Sequence, residues 1–287
     1  MSDCFFVSDL HGRLDRYRKL FAAIASERPE AVFLGGDLLP HPMMATGSPG
    51  PARHDFIQDE LVAGFAALRE RLGDAYPRVF LILGNDDARF EERAILEASE
   101  RGIFEYAHGR SIAWGDLTVY GYACVPPTPF RLKDWERYDV SRFVDPGCYA
   151  PEEGWHTVEV SERELRFGTI REDLDRLAGD SELARSVFLM HTPPYRTLLD
   201  RAALDGQTVD HVPLDVHVGS MAVRRFVEAR QPLLTLHGHV HESARITGSW
   251  RDRIGRTHAF SAAHDGPELG LVRFSHDDLD AASRELL

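Results

Sequence analysis

Short, mostly apolar runs recur along this chain: Cys4–Val7, Ala31–Leu34, Val79–Leu83, Val187–Met190 and Leu233–Leu236. Runs this short, closed by polar residues and glycine, read as strands buried in a sheet. Between the first two, Leu14, Tyr17, Leu20, Phe21, Ile24 and Ala25 fall at helical spacing until Pro29, so the opening predicts a β-α-β unit with its helix over 13–28. The stretch from Asp55 to Leu72 predicts one amphipathic helix, with Phe56, Leu61, Val62, Phe65, Leu68 and Leu72 on one side and Asp55 and Gln58 at its start. A short helix over 89–101 and a strand over Leu117–Tyr122 follow. Thr169 and Glu172 form a capping box ahead of Leu174 and Leu177, and Ser220 caps a helix that Gln231 and Pro232 end. In the tail, Thr257–Phe260 and Leu269–Phe274 predict two antiparallel strands joined through Asp265-Gly266-Pro267, and Asp277-Asp278 opens a short polar terminus.

Two stretches carry no period. Leu39 to Arg53 is rich in proline and glycine and is expected to lie over the carboxyl edge of the sheet, shielding what is there. Val125 to Trp155 alternates five prolines with Phe130, Trp135, Tyr138, Phe143 and Tyr149. An ordered aromatic loop of that length is a lid, a substrate wall or a surface excursion packed on itself. From Asp200 to Val218 the chain is polar and rich in histidine.

With 287 residues, 43% of them hydrophobic, the chain can bury a large core, and it is read as one domain over 1–287 with an insertion at about 125–155. A formal net charge of -13, with no basic run, argues against nucleic acid as a partner. Cys4, Cys124 and Cys148 form no C-x-x-C pair, which argues against a disulfide framework and a thiolate zinc site. No apolar segment reaches membrane-spanning length, and the first strand begins without a basic, cleavable leader, so no membrane is expected and the cytoplasm is the default. Nothing here decides between a monomer and a homo-oligomer.

The chemistry collects where the strands end. Asp9 and His11 follow the first run, Asp37 the second, Asn85 the third, His191 the fourth, and His239 and His241 the fifth. In α/β sheets ligands gather beyond the carboxyl ends of strands. The spacing of Asp9 and His11 is expected to put both side chains on one side of an extended backbone, converging on a cation. Singly, each residue has an ordinary reading: Asp9 as the cap of the next helix, Asp37 as a turn former, Asn85 as a left-handed residue, His191 as a buried histidine. In order, they read as a metal site, and mixed nitrogen and oxygen donors suit manganese, iron or zinc.

This series resembles the calcineurin-like metallophosphoesterase superfamily, whose ordered motifs are Asp-x-His, Gly-Asp, Gly-Asn, a lone His and Gly-His-x-His. The resemblance spans almost the whole chain. It implies an α/β fold, a two-sheet β-sandwich flanked by helices (αββα). It also implies two metal ions, one held by Asp9, His11 and His241, the other by Asn85, His191 and His239, with Asp37 bridging. A hydroxide between ions about 3.5–4 Å apart would attack the phosphorus of a small phosphorylated substrate. More narrowly, His217-Val218-Gly219-Ser220, Gln231-Pro232 and His237 to Ser243 look like the Icc-like predicted phosphoesterases. Those relatives usually carry Asn-Pro-Gly after the final motif, where this chain has Ser261-Ala262-Ala263-His264. Many members follow the Gly-Asn asparagine with a histidine that contacts substrate and protonates the leaving oxygen; here the residue is Asp86. An ionised aspartate repels a phosphate dianion more than a diester monoanion, so phosphodiesters with good leaving groups are expected substrates, with Asn85 and Asp86 at the reacting centre. His217 or His264 could serve as the acid instead. A protein-binding scaffold that has lost catalysis and a metal-dependent nuclease are the competing readings; a full ligand set opposes the first, the net charge the second.

Overall fold

The computed structural model describes residues 4–41 and 55–287. Of the loop predicted over Leu39 to Arg53, residues 42–53 lie outside that description. In chain order the strands are β1 (Cys4–Val7), β2 (Ala31–Gly35), β3 (Arg78–Ile82), β4 (Glu105–Tyr106), β5 (Ser111–Trp114), β6 (Leu117–Tyr122) and β7 (Ser186–Met190). They continue as β8 (Thr208–Val209), β9 (Val212–Pro213), β10 (Leu234–His237), β11 (Arg251–Ile254), β12 (Thr257–Ser261), β13 (Gly270–Ser275) and β14 (Asp278–Leu286). The helices are α1 (Leu14–Glu27), α2 (Ala63–Leu72), α3 (Glu92–Glu100), α4 (Glu162–Phe167), α5 (Ile170–Ala178), α6 (Met221–Arg230) and α7 (Ser243–Thr247).

Two six-stranded sheets result, one in the order β14-β13-β1-β2-β3-β4, the other β11-β12-β10-β7-β6-β5. β1, β2 and β3 run parallel, with Phe6 beside Phe33 and Phe33 beside Phe80. β6, β7, β10 and β12 also run parallel. The strands predicted as buried are buried apart from Leu233 at the start of the fifth run, because the sheets face each other and helices cover their outer sides. Between the sheets, Phe33 stacks on Phe80 with centroids 5.2 Å apart, and Trp114 of the second sheet meets Phe33 edge-on at 5.6 Å. On the outer side of the second sheet, Phe226 of α6 packs on Phe188. The architecture is the mixed α/β arrangement of two sheets and flanking helices that the motifs imply.

Three local expectations need correction. β12 and β13 are not partners: β12 pairs with β10 in one sheet, β13 with β1 in the other, and Phe260 and Phe274 meet across the interface with centroids 6.0 Å apart. The terminus is not a short polar tail but β14, a nine-residue edge strand on β13. Of its residues only Leu279 and Ala282 are buried, so no alternation advertised it. The helix over Asp55 to Leu72 opens as a π-helical stretch, Ile57–Val62, before α2, although Asp55 does accept the Gln58 amide as predicted. The polar stretch after Asp200 holds the small β8-β9 hairpin. The 125–155 stretch stays mostly irregular, but Lys133, Trp135, Glu136 and Tyr138 within it are buried. Among the described residues no helix is long and apolar enough to cross a membrane.

Candidate metal centre

The strand ends that carry the candidate residues belong to neighbouring strands, three in the first sheet and two in the second, so both sheets deliver them to one edge. Asp9 and His11 do not sit on extended backbone: their φ angles are 57° and 48°, and Asp37 and His239 are also left-handed at 51° and 71°. Their convergence comes from tight turns rather than from strand alternation. Hydrogen bonds zip the first two turns together, from Asp9 N to Gly36 O at 2.9 Å and from His11 N to Asp37 O at 2.8 Å. Non-glycine residues in this conformation each cost on the order of 1–3 kcal/mol, a cost that is typical of functional sites. Nor does Asp9 cap a helix; its carboxylate accepts from Ser8 Oγ at 2.5 Å and from His239 N at 3.0 Å.

Asp9, His11, Asp37 and His241 each bring one donor atom within 4.8 Å of all the others. His241 Nε2 lies 3.2 Å from Asp9 Oδ1 and 3.1 Å from His11 Nε2. A second group adjoins through Asp37: His191 Nε2 is 3.2 Å from Asp37 Oδ2 and 3.1 Å from Asn85 Oδ1. The other ring nitrogen of His191 donates to Gly35 O at 2.7 Å, which leaves Nε2 as the atom facing the cluster. His239 completes the set, its ring 5.3 Å from that of His191. Two motif glycines leave room for this: a Cβ on Gly84 would lie 2.4 Å from Asp37 Oδ1, and one on Gly238 would lie 2.6 Å from Asp9 Oδ2.

The electrostatics fit a cation. Burial pushes the Asp9 and Asp37 carboxyls up, but the imidazoles around them win and hold Asp9 far below its ordinary value and Asp37 at about 2. Reciprocally, and against burial, Asp37 lifts His191 to about 10 and Asp9 lifts His241 to about 9. Burial, followed by the neighbouring His191, lowers His239 to about 3 and leaves that ring neutral. Buried carboxylates with imidazole nitrogens packed nitrogen to nitrogen at 3.1 Å are donors arranged around shared positive charge.

Asp86 takes part in the same cluster. Its amide donates to Asp37 Oδ1 at 2.8 Å, Asn85 Nδ2 donates to its carboxylate at 3.2 Å, and its Oδ2 lies 3.5 Å from His11 Nδ1. Burial and then Asp37 raise its pKa. The carboxylate that satisfies backbone amides is Asp87, which accepts from Leu38, Leu39 and Gly84 and so locks the second and third strand ends together. His217 is held by the buried Asp200 at 2.9 Å and His264 by Glu268 at 3.0 Å. Sequence reasoning passed over Arg16, which donates to the Asp9 carbonyl. Arg16, Leu20 and Ile24 are four apart on the buried stripe of α1, and a charge on such a stripe was the available signal.

Among solved structures, the TT1561 protein of Thermus thermophilus is similar at 18% identity, covering 100% of this chain and 99% of that one, with a TM-score of 0.55. A dimetal phosphatase from Danio rerio is 14% identical over 96% of this chain and 93% of its own, with a TM-score of 0.49. An archaeal phosphodiesterase is 10% identical over 99% of both chains, with a TM-score of 0.46. No curated protein matches the sequence. The profile of the calcineurin-like phosphoesterases matches residues 4–243, from β1 to the start of α7, and includes all seven clustered residues. The chain therefore belongs to the calcineurin-like phosphoesterase family, the metal-dependent hydrolases of phosphoric esters.

Proposed function

We propose that this protein hydrolyses phosphodiesters of small molecules with two divalent transition-metal ions, manganese, iron or zinc. Asp9, His11 and His241 would hold one ion and Asn85, His191 and His239 the other, with Asp37 shared. The observation that carries this reading is the meeting of four donor atoms within 4.8 Å, with His191 adjoining them at 3.2 Å from Asp37. Bound there, the ions would supply Lewis acidity to a phosphoryl oxygen and to the attacking water.

The chain itself positions and discriminates. Asp86, its side chain 28% exposed and 3.5 Å from His11, would stand beside a substrate bound over the cluster. In its ionised form it disfavours a dianionic monoester more than a monoanionic diester, and substrates with good leaving groups need no proton from it. The insertion at 125–155 is read as a wall of the site, supported by two contacts to the third strand end: Trp135 Nε1 donates to Asp87 O at 2.9 Å, and Asp134 accepts the Arg89 amide at 2.7 Å.

The test is elemental analysis after reconstitution with Mn²⁺, together with kcat/KM on bis-p-nitrophenyl phosphate and p-nitrophenyl phosphate. Two metals per chain and a preference for the bis-ester are expected. A preference for the monoester would overturn the substrate class. Less than one metal per chain, with no hydrolysis, would favour a binding scaffold.

A further inference from the structure

Two arginines reach one turn beside the cluster, Arg16 buried and Arg284 half-buried. Arg16 is 4% exposed; one terminal nitrogen donates to the Asp9 carbonyl, and the other to Gly266 O at 2.6 Å and His264 O at 3.5 Å. Arg284, on β14, donates to Ala263 O at 2.6 Å from the other side of the turn. In both residues the buried Nε has no partner. A buried cation that meets only carbonyl oxygens and leaves one donor unmet is costly unless the geometry it fixes is worth more.

What Arg16 fixes is the strand end that carries Asp9. At φ 57° the Asp9 peptide is left-handed, a region non-glycine residues rarely occupy, with its carbonyl bonded to Arg16 of α1 and its carboxylate to His241. We propose that Arg16 is a positioning residue of the metal centre: its guanidinium grips the Asp9 carbonyl, holds the carboxylate in its ligating direction, and ties this turn to residues 264–266. The inference rests on the ligand reading above. It also accounts for the turn after Ser261-Ala262-Ala263-His264, which is fixed here by arginines reaching its carbonyls. Arg284 holds the same turn by bonding Ala263 O rather than the Asp9 carbonyl, so Arg284→Met separates loss of a nearby cation and of the turn from loss of the grip on Asp9.

The experiment compares Arg16→Met, Arg16→Lys and Arg284→Met in the full-length chain after chelation. Co²⁺ titration is followed by visible absorption, and thermal midpoints are measured without metal. Arg16→Met is expected to weaken Co²⁺ binding about 10–100-fold and to alter the ligand-field bands, as changes behind metal ligands do. Arg16→Lys should restore part of both, while Arg284→Met should lower the thermal midpoint and leave affinity and bands as in wild type. Wild-type Co²⁺ binding by both Arg16 variants, or equal weakening by Arg284→Met, would overturn the proposal. Should Arg16→Met fail to fold, Arg16→Lys decides: bands and affinity identical to wild type refute a positioning role. A wild type that takes up no Co²⁺ would instead overturn the ligand reading, and this inference with it.

Discussion

At the scale of single residues, Asp37 is the member that joins the two groups, meeting His191 Nε2, the Asp86 amide and the donor set of Asp9, His11 and His241. A carboxylate shared by two cations also offsets their repulsion, so Asp37→Asn should lower metal content at both positions. His11→Ala should mainly empty the first position and His191→Ala the second. Elemental analysis of the reconstituted variants checks this, and equal, minor losses from all three would contradict the assignment. Asp86→His should raise monoester turnover relative to diester turnover, because it removes a negative charge 3.5 Å from His11 and supplies a better proton donor; the ratio of kcat/KM for the two nitrophenyl esters measures it. The identity of these residues was legible because each follows a buried run. Their backbone was not: left-handed turns at Asp9, His11 and Asp37 are imposed by hydrogen bonds between strand ends distant in sequence.

At the scale of elements, strands were easiest to read where both faces are buried and hardest where one edge is free. β2 is a continuous apolar run and β7 is one from Val187 onward, whereas β14 carries polar and charged residues and β5 is only four residues long with Trp114 alone buried; both lie on sheet edges, where pairing rather than side-chain pattern makes the strand. Strand ends also explain the motif glycines. Gly84→Ala places a methyl 2.4 Å from Asp37 Oδ1 and 2.7 Å from His191 Nε2, so metal content should fall while the far-ultraviolet circular dichroism stays that of wild type. His108, just before β5, accepts the Ala123 amide at 2.9 Å through Nδ1, and burial, followed by Arg89, Arg137 and Arg110, lowers its pKa from 6.5 to about 3. The sign follows directly. The folded state holds this ring neutral, so its contribution is complete above pH 6.5 and is lost as pH falls toward 3, at up to about 1.4 kcal/mol per pH unit. Denaturant melts of the chelated protein should therefore lose stability more steeply between pH 6.5 and 4 in wild type than in His108→Gln, where an amide oxygen replaces the titrating acceptor. Parallel curves would refute it.

At the scale of the whole molecule, the candidate ligands divide between the sheets. Asp9, His11, Asp37 and Asn85 come from the first, and His191, His239 and His241 from the second. The order of the motifs was plain in the sequence, but this division was not, since nothing in five similar apolar runs says which of them pair. The tail shows the same limit: the chain passes between sheets from β12 to β13, a crossing that periodicity cannot encode. The division has a thermodynamic consequence under the proposed ligand assignment. Ions bound at this edge join two sheets that otherwise hold together through apolar packing such as Phe33 against Trp114 and Phe260 against Phe274. An unfolded chain cannot bring donors from residues 9 to 241 together, so metal binds the folded state alone and stabilises it by about 2.7 kcal/mol when free metal is a hundredfold above Kd. Adding Mn²⁺ to chelated protein should therefore raise the thermal midpoint by several degrees, in proportion to the logarithm of free metal, and Asp37→Asn should show little of that rise. Ligands drawn from one sheet would tighten only their own loops, so amide exchange separates the cases. Metal should slow exchange in β1, β2 and β3 and in β7 and β10 alike, and slowing confined to one sheet would contradict a centre shared between them.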